Sequence, residues 1–455
     1  MFWSSFDKSI RFCLFALLAF TTMALTATAQ VLPVGPAVTV FSPPQNISND
    51  PGTSWVHQVA VDSKGNINVV WWDDSPGFRT VFFSRSIDGG LTFSTPQSLS
   101  SDPGGTTPPN IAVDSLGNVY VVWAGWSADG GFLTRSADGS NFSAPVKISD
   151  NISWTPNIAI GPGGSIYLGW QDGSQYQSVF FSRSNDGGAT FSSPLLLSTI
   201  NPFGGMPLIG VDPAGNIDIV WEGCLSNCQI WFSGSTDGGI TFSQQFQIGT
   251  VFDARSPLDM AIGPNGDINA VFNTVPWGDV FLSRSSDGGA SFTITNVSNN
   301  TNKPFFITPT NAQIAVDSGD AIDIVWQGAG IVFSRSTDQG ASFTSTAVSS
   351  GSGPQIALNS SGNINLVWAA YSSTANSFDV FFSRSSDAGK TFAAPQKLSN
   401  NTANSNPTPQ IVLDIFGNPA VSWVDSSAGN SEIFFVRGVT VQVPPVLPKK
   451  SPSLP

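Results

Sequence analysis

One pattern recurs eight times along this chain of 455 residues. Its first copy, residues 59–100, begins VAVDSKGNINVVW, continues after a variable stretch as VFFSRSIDGGLTF and ends STPQSLS. Later copies start at intervals of about 42 to 55 residues, at Ile111, Ile158, Ile209, Met260, Ile314, Ile356 and Ile411. This period is typical of β-propeller blades, and such a unit must stack on its neighbours because it cannot bury its apolar face alone.

Each copy predicts four short antiparallel strands. The turn Ser63-Lys64-Gly65-Asn66 separates the first two, because Gly and Asn tolerate the positive φ of tight hairpins. An aromatic residue closes the second strand of every copy, and this repetition within one chain favours packing between blades over a functional role. These residues are Trp71, Trp123, Trp170, Trp221, Phe272, Trp326, Trp368 and Trp423.

The eighth copy lacks its turn and fourth strand. It stops after EIFFVR, whereas residues 41–48, FSPPQNIS, match the fourth strand FSTPQSLS of the first copy. The two ends of the chain can therefore complete one split blade, which removes the exposed sheet edges of a linear array. The predicted fold is all-β, a single eight-bladed propeller over residues 41–443. A seven-bladed ring with an irregular eighth unit is the alternative.

The N-terminal residues have the pattern of a secretory signal peptide. Lys8 and Arg11 precede the apolar residues 12–25, which are followed by Ala27-Thr28-Ala29. We expect a signal peptide at 1–29, an N-terminal lead at 30–40, a Pro-rich flexible tail at 444–455 and a secreted or periplasmic protein. An uncleaved anchor is the alternative, although the apolar run is shorter than the ~20 residues of a spanning helix. No other stretch predicts a membrane span.

Composition agrees with an extracellular all-β protein. Charged residues make up 11% of the chain, against roughly 25% in average soluble domains, and there are 45 Gly and 32 Pro. Removing residues 1–29 takes away Lys8, Arg11 and Asp7 and leaves a net charge of −14, which argues against nucleic acid as a partner. Cys224 and Cys228 predict a small disulfide rather than a metal site. We expect a monomer.

The turn between the third and fourth strands, SIDGGLTF at 86–93, resembles the Asp box, S-x-D-x-G-x-T-W/F, of the sialidase-like propeller superfamily. The short Asp side chain can accept hydrogen bonds from its own turn amides, so the turn is a folding device. The resemblance implies a sialidase-like propeller with these turns on the face opposite the active site. No cofactor or metal is expected, and calcium at these turns is the alternative. The turn aspartates are Asp88, Asp138 (in a turn one residue short), Asp186, Asp237, Asp287, Asp338 and Asp387.

The catalytic set of a sialidase is depleted in this chain. Sialidases resemble one another in three arginines that clamp a carboxylate, a Tyr nucleophile paired with Glu, an Asp acid/base and an early Arg-Ile-Pro segment. This chain has no Arg-Ile-Pro, and six arginines occupy one repeated slot beside the turns, which indicates a structural role: Arg85, Arg135, Arg183, Arg284, Arg335 and Arg384. The catalytic candidates are Tyr176 paired with Glu222, and Asp74 or Asp172 as the acid.

The variable stretches hold the candidate ligand-binding residues. They join each second strand to the third and each fourth strand to the next blade, so both sets emerge on the face opposite the turns. Exposed aromatic rings among polar side chains suit sugar rings or peptides, although some could instead plug the channel. The candidates are Trp55, His57, Asp73, Arg79, Trp126, Trp154, Arg255, Asp259, Trp277 and Tyr371.

These observations favour a secreted, non-catalytic sialidase-like propeller that binds an extracellular glycan or protein through its loop face. A divergent exo-sialidase or other glycoside hydrolase using two loop-face carboxylates is the enzymatic alternative. A purely structural envelope component is the third hypothesis.

Overall fold

The computed structural model describes residues 37–126, 130–152, 154, 156–173, 177–199, 204–224, 228–251, 258–274, 278–298, 312–373, 376–399, 407–426 and 429–442. The chain divides into a large unit, Thr39–Thr440, and a small one made of Met1–Val38 and Val441–Pro455. The expected signal peptide and Pro-rich tail lie outside the described residues. The part of the chain described here contains no helix that is long and apolar enough to cross a bilayer.

The large unit consists of eight antiparallel sheets, which we number as blades 1 to 8 in chain order. Two strands precede blade 1, β1 (Ala37–Phe41) and β2 (Gln45–Asn46). Blade 1 comprises β3 (Ser54–Val61), β4 (Ile67–Asp73), β5 (Thr80–Ser86) and β6 (Gln97–Ser98); blade 2 comprises β7 (Asn110–Val113), β8 (Val119–Ala124), β9 (Gly131–Ser136) and β10 (Val146–Ser149); blade 3 comprises β11 (Asn157–Ile160), β12 (Ile166–Asp172), β13 (Ser178–Ser184) and β14 (Leu195–Leu196); blade 4 comprises β15 (Leu208–Val211), β16 (Ile217–Cys224), β17 (Cys228–Ser235) and β18 (Phe246–Val251).

Blades 5 to 8 repeat this arrangement. Blade 5 comprises β19 (Leu258–Ile262), β20 (Ile268–Thr274), β21 (Asp279–Ser285) and β22 (Thr293–Asn296); blade 6 comprises β23 (Gln313–Val316), β24 (Ile322–Gln327), β25 (Ile331–Ser336) and β26 (Thr344–Ser349); blade 7 comprises β27 (Ser352–Leu358), β28 (Ile364–Ser372), β29 (Ser377–Ser385) and β30 (Gln396–Lys397); blade 8 comprises β31 (Gln410–Leu413), β32 (Pro419–Asp425) and β33 (Glu432–Gln442), with β1 and β2 paired to β33.

The first strands of successive blades contact one another all the way round, and β3 of blade 1 contacts β31 of blade 8. The sheets therefore form a closed ring, and the prediction of an eight-bladed propeller is confirmed.

The N-terminal segment completes blade 8, as the sequence predicts. Gln45 pairs with Phe435 and Asn46 with Phe434, and the amide of Ile47 donates to the carbonyl of Ile433 at 2.8 Å. The outer edge of the third strand of blade 8 is thus covered by a strand from the other end of the chain.

The hydrophobic core lies between the blades. Each of eight clusters of buried side chains joins two neighbouring blades; one of them packs Ile67 and Trp71 of blade 1 against Phe435 of blade 8. The eight aromatic rings that close the second strands are all buried. In five blades the Phe of the turn packs on a third-strand ring of the preceding blade, as Phe93 does on Phe435 at 4.8 Å between ring centroids. In blades 3 and 6 the turn Phe packs instead in clusters that contain Leu133 and Leu282. The same repeated residues therefore hold every blade to the next.

The aspartate turns have the hydrogen bonds that the sequence predicts. In the turn of blade 5, Asp287 accepts hydrogen bonds from the Ser291 hydroxyl at 2.6 Å, the Ser291 amide at 2.9 Å and the Ser285 hydroxyl at 2.7 Å. These donors, the Ser291 hydroxyl first, lower the pKa of the exposed Asp287 carboxyl to about 2. The shortened turn of blade 2 keeps the pattern, because Asp138 accepts from the amide and side chain of Asn141 at 2.8 Å.

The repeated arginines pair with the framework. Arg85 donates to Asp62 at 2.7 Å and Arg284 to Asp267 at 2.6 Å, whereas Arg183 donates to the carbonyl of Gly238 in the next blade at 2.6 Å. The structural role expected for this slot is thus present in the geometry.

Closure of the ring by the N-terminal segment is testable by truncation. Deleting residues 1–48 removes β1 and β2 and leaves β33 as an unpaired edge, so we expect a lower melting temperature and self-association of the protein. Deleting residues 1–36 keeps both strands and serves as the control. Thermal unfolding and size-exclusion chromatography check this. If both truncated proteins were monomeric and melted at the same temperature, the segment would not be needed to close the ring.

Candidate functional site

Four tryptophans and one arginine form a continuous line across blades 1 to 3, which we call the tryptophan row. Trp55 on β3 and Trp72 on β4 are cross-strand partners, and their rings stack with centroids 6.5 Å apart. The Arg79 guanidinium carbon lies 4.6 Å from the Trp72 ring centroid and 5.0 Å from that of Trp126. The ring of Trp126 in turn lies 6.4 Å from that of Trp154.

The row lies at the ends of the blades opposite the aspartate turns. Asp73, next to Trp72, pairs with Thr80, whereas Ile67 at the other end of β4 pairs with Ser86, where the turn begins. The rings of Trp55, Trp126 and Trp154 are 46%, 56% and 38% exposed. A cation held between two indole faces orders the row, and the exposed faces remain open to a ligand.

Four of the ligand-binding candidates come together in the structure: Trp55, Arg79, Trp126 and Trp154. It also adds Trp72, which sequence reasoning missed because it directly follows the core residue Trp71. Successive strand residues point to opposite sides, so a second tryptophan beside a buried one is the signal that could have identified it.

Three carboxyl groups meet where blade 8 joins blade 1. Asp73 accepts a hydrogen bond from the Ser54 hydroxyl at 2.8 Å, and Glu432 accepts hydrogen bonds from the Ser48 hydroxyl and from Asn430 at 2.8 Å. Asp50 is the third; burial, followed by the negative charges of Asp73 and Glu432, raises its pKa to about 7. At neutral pH this carboxyl carries a proton part of the time, unlike an ordinary aspartate.

His57 is buried in the framework beneath the loop face. It follows Val56, whose φ is 36°, in a bulge of β3 between the paired residues Trp55 and Gln58. The ring is 2% exposed, and burial lowers its pKa to about 4 despite an interaction with the backbone of Ser422. The side chain is therefore neutral and has no direct access to a ligand.

The carboxylate candidates for catalysis lie on three different blades. Asp74 follows β4, is exposed and accepts a hydrogen bond from the Thr53 amide at 2.7 Å. Asp172 ends β12 in blade 3 and Glu222 lies in β16 of blade 4; both are buried. Tyr176, proposed as the partner of Glu222, lies outside the described residues, as do the ligand-binding candidates Arg255 and Trp277.

Cys224 and Cys228 form the predicted disulfide, which joins the ends of β16 and β17. Together with Glu222 they are the one group of His, Cys, Asp and Glu donors among the described residues with spacing close enough for a metal ion. Because the two sulfurs are bonded to each other, Glu222 alone could act as a ligand there.

The remaining candidates lie apart from the row. Asp259 accepts hydrogen bonds from the amides of Met260 at 2.9 Å and Ile314 at 3.0 Å, and so links the first strands of blades 5 and 6. Burial raises its pKa to about 6. Tyr371 is exposed on blade 7, where its hydroxyl donates to Asn376 at 2.8 Å.

A match to a family model supports the fold. A family model described as a β-propeller repeat matches residues 99–122, and no curated protein matches the chain in sequence. Similar solved structures include a protein of unknown function from Dyadobacter fermentans DSM 18053, at 13% identity over 88% of this chain and 98% of that chain with a TM-score of 0.46. An ulvan lyase of a new polysaccharide lyase family is 12% identical over 89% and 94% with a TM-score of 0.47, and a Hadza microbial sialidase is 12% identical over 86% and 66% with a TM-score of 0.40.

At these identities the likenesses concern the fold alone. The chain is an eight-bladed β-propeller, the fold implied by its resemblance to the sialidase-like superfamily.

The buried neutral His57 predicts a specific acid sensitivity. The stabilisation that depends on neutral His57 is complete above pH 6.5 and is lost as the pH falls toward 4. Over this range the histidine of the unfolded chain binds a proton, whereas the buried ring of the folded protein stays neutral. The loss should approach about 3 kcal/mol in the free energy of unfolding. Urea denaturation at pH 7.5 and 4.5 measures it, with His57→Leu as the comparison. Equal pH dependence in the two proteins would contradict the assignment.

Proposed function

We propose that this protein is a secreted, non-catalytic propeller that binds an extracellular glycan through the tryptophan row. The observation that carries the proposal is the unbroken series of side-chain contacts on one face, which runs Trp55–Trp72–Arg79–Trp126–Trp154. Indole rings offer flat apolar faces that match the C–H faces of sugar rings, and several rings in line suit successive residues of a chain. Polar atoms of the neighbouring loops would orient the ligand.

Arg79 favours an anionic glycan over a neutral one. Its guanidinium lies between two rings of the row and is exposed, so a sugar that stacks there would place its substituents beside a fixed positive charge. A guanidinium binds a carboxylate or sulfate through paired hydrogen bonds. The ligand class that fits best is therefore an acidic polysaccharide, such as one that contains uronic acids.

Two features support a non-catalytic role. The repeated arginines for which partners are described donate to aspartates, hydroxyls or backbone carbonyls of the framework, which leaves them poorly suited to clamp a substrate carboxylate. The proposed acids Asp74, Asp172 and Glu222 are divided among blades 1, 3 and 4. The seven turns that resemble Asp boxes would serve folding alone.

Substitutions in the row test glycan binding. Trp126→Ala removes the most exposed ring of the row and an aromatic face next to Arg79, so we expect the affinity for an oligouronate to fall about tenfold or more, ~1.4 kcal/mol. Arg79→Met should weaken binding of the oligouronate more than binding of its neutral, carboxyl-reduced counterpart. Phe416→Ala is the matched control, because Phe416 is 80% exposed in a turn of blade 8 at the other end of the strands.

Isothermal titration calorimetry on the purified protein, preceded by a glycan array to select the oligosaccharide, gives these affinities. Equal affinities for wild type and Trp126→Ala would refute the proposed site. A protein that binds no glycan on the array would favour a protein ligand on the same face.

The Asp50–Asp73 pair favours one alternative function, glycoside hydrolysis. A carboxyl with a raised pKa of about 7 beside a second carboxyl has the properties of a general acid, and Asp73 directly follows Trp72 of the row. Hydrolysis of a panel of aryl glycosides that includes an α-sialoside tests this alternative. Activity that falls above pH 7 and is abolished by Asp50→Asn would establish a hydrolase, whereas an inactive wild type would leave binding as the function.

A further inference from the structure

Blade 4 lacks the arginine that every other blade carries in its third strand. The slot holds Arg85, Arg135, Arg183, Gly234, Arg284, Arg335, Arg384 and Arg437 in blades 1 to 8. Gly234 is the exception, and it lies at the end of the strands opposite the tryptophan row, one residue before Ser235 of the aspartate turn.

Blade 6 shows what the slot does when it faces two carboxylates. Arg335 and Asp323 are cross-strand partners, and Nη1 of the arginine donates to both Asp323 oxygens, at 2.9 and 2.7 Å. Its Nη2 donates to Asp317. One planar guanidinium thus donates hydrogen bonds to both acids.

Blade 4 has kept the two acids of this arrangement without the guanidinium. Asp218 and Gly234 are cross-strand partners, at the positions of Asp323 and Arg335, and Asp212 corresponds to Asp317. Asp212 accepts hydrogen bonds from the Asn216 amide and side chain at 2.7 Å. Asp218 is only 4% exposed, and within the described residues no hydrogen bond or ion pair reaches its carboxylate.

A cavity of about 490 Å³ occupies the space that an arginine side chain would fill. Asp212, Asp218 and Gly234 line it together with Phe232, Phe246 and Gly288. A Cβ atom built on Gly234 would lie 3.5 Å from the nearer Asp218 oxygen, so the carboxylate points toward the empty position. Gly288 corresponds to Gly238, whose carbonyl accepts a hydrogen bond from Arg183 of the preceding blade. We call this cavity the blade-4 pocket.

We propose that the blade-4 pocket binds a guanidinium group, supplied by an arginine side chain of a polypeptide or by a small guanidine. The pocket presents two carboxylates at the positions that hold Arg335 in blade 6, and one carbonyl at the position that binds Arg183 of blade 3. A guanidinium has five donors in one plane for such acceptors, and Phe232 and Phe246 line the same cavity. Calcium fits less well, because it takes six to eight oxygen ligands and Asp212 already accepts two hydrogen bonds.

The charge balance of the fold supports the same ligand. Burial, followed by the charge of Asp212, raises the pKa of Asp218 to about 7, and burial raises the pKa of Asp323 in blade 6 to about 7 even beside Arg335. The two acids thus share a buried setting, and the presence of a guanidinium distinguishes the two blades. Removing one partner of a buried charge pair destabilises a protein. A bound guanidinium would supply to Asp218 the positive charge that Arg335 supplies to Asp323 in blade 6.

Titration of the whole protein with methylguanidinium chloride tests the proposal by calorimetry, with methylammonium chloride and calcium chloride as comparison ligands. We expect one saturable methylguanidinium site in wild type. Gly234→Arg should abolish it, because the new side chain fills the pocket, and should raise the melting temperature. Gly234 has no positive φ, and the nearest atom to a Cβ there is a Phe232 ring carbon at 3.0 Å, so this variant should fold after a small shift of that ring. Asp218→Asn, which keeps the shape, should weaken binding at least tenfold.

Two further experiments identify the source of the guanidinium and test the same arrangement in blade 6. Binding of N-acetylarginine amide as tight as that of methylguanidinium would indicate an arginine of a polypeptide, whereas exclusion of the amide would indicate a small guanidine. Arg335→Gly should create a second methylguanidinium site in blade 6. This variant should melt at a lower temperature than wild type, and millimolar methylguanidinium should restore part of the difference. Absence of saturable binding in wild type, binding that survives Gly234→Arg, or binding of calcium alone would overturn the proposal. None of these outcomes bears on the tryptophan row, which lies at the other end of the strands.

Discussion

Packing between neighbouring blades is the interaction on which the whole structure depends. Each sheet packs apolar side chains against its neighbours, and aromatic rings meet across the boundary between blades, as Phe93 does on Phe435 and Phe83 on Phe142. A blade at either end of a linear array would leave such a face in water at about 25 cal/mol per Å². Closure of the ring therefore follows from the repeat itself, and the split blade joins residues some 390 positions apart in one sheet.

Closure also creates chemistry that no single repeat contains. Glu432 begins the third strand of blade 8, whereas Asp50 and Asp73 belong to the segment that enters blade 1 and to blade 1 itself. The three acids come together because the chain ends meet there, and the hydroxyls of Ser48 and Ser54 satisfy part of their demand for donors. The protonation of Asp50 removes one of the negative charges that would otherwise repel each other at this joint.

The repeated residues made the fold predictable from sequence, and the unrepeated residues limited the prediction of the site. Trp71 and its seven counterparts identify the second strands because one physical role, burial between blades, recurs in each copy. Trp55, Arg79, Trp126 and Trp154 could be selected as variable loop residues, but their order in a row depends on loop geometry that pattern cannot provide. Trp72 joins them only through the cross-strand register of β3 and β4. The raised pKa of Asp50 depends on contacts across the closure, which a linear pattern does not contain.

A repeat protein also supplies its own reference for each position. Blade 6 shows that one arginine holds the buried Asp323 and the half-buried Asp317, so the same two acids without it in blade 4 cannot be explained by the requirements of the fold alone. In blades 1 and 7, which keep the slot arginines Arg85 and Arg384, the position of Asp218 carries the neutral side chains Asn68 and Asn365, so the repeat does not require an acid there. A buried acid kept without its internal partner is therefore a departure from the repeat that adds cost to folding. Such a departure is most readily understood if the missing charge comes from outside the chain.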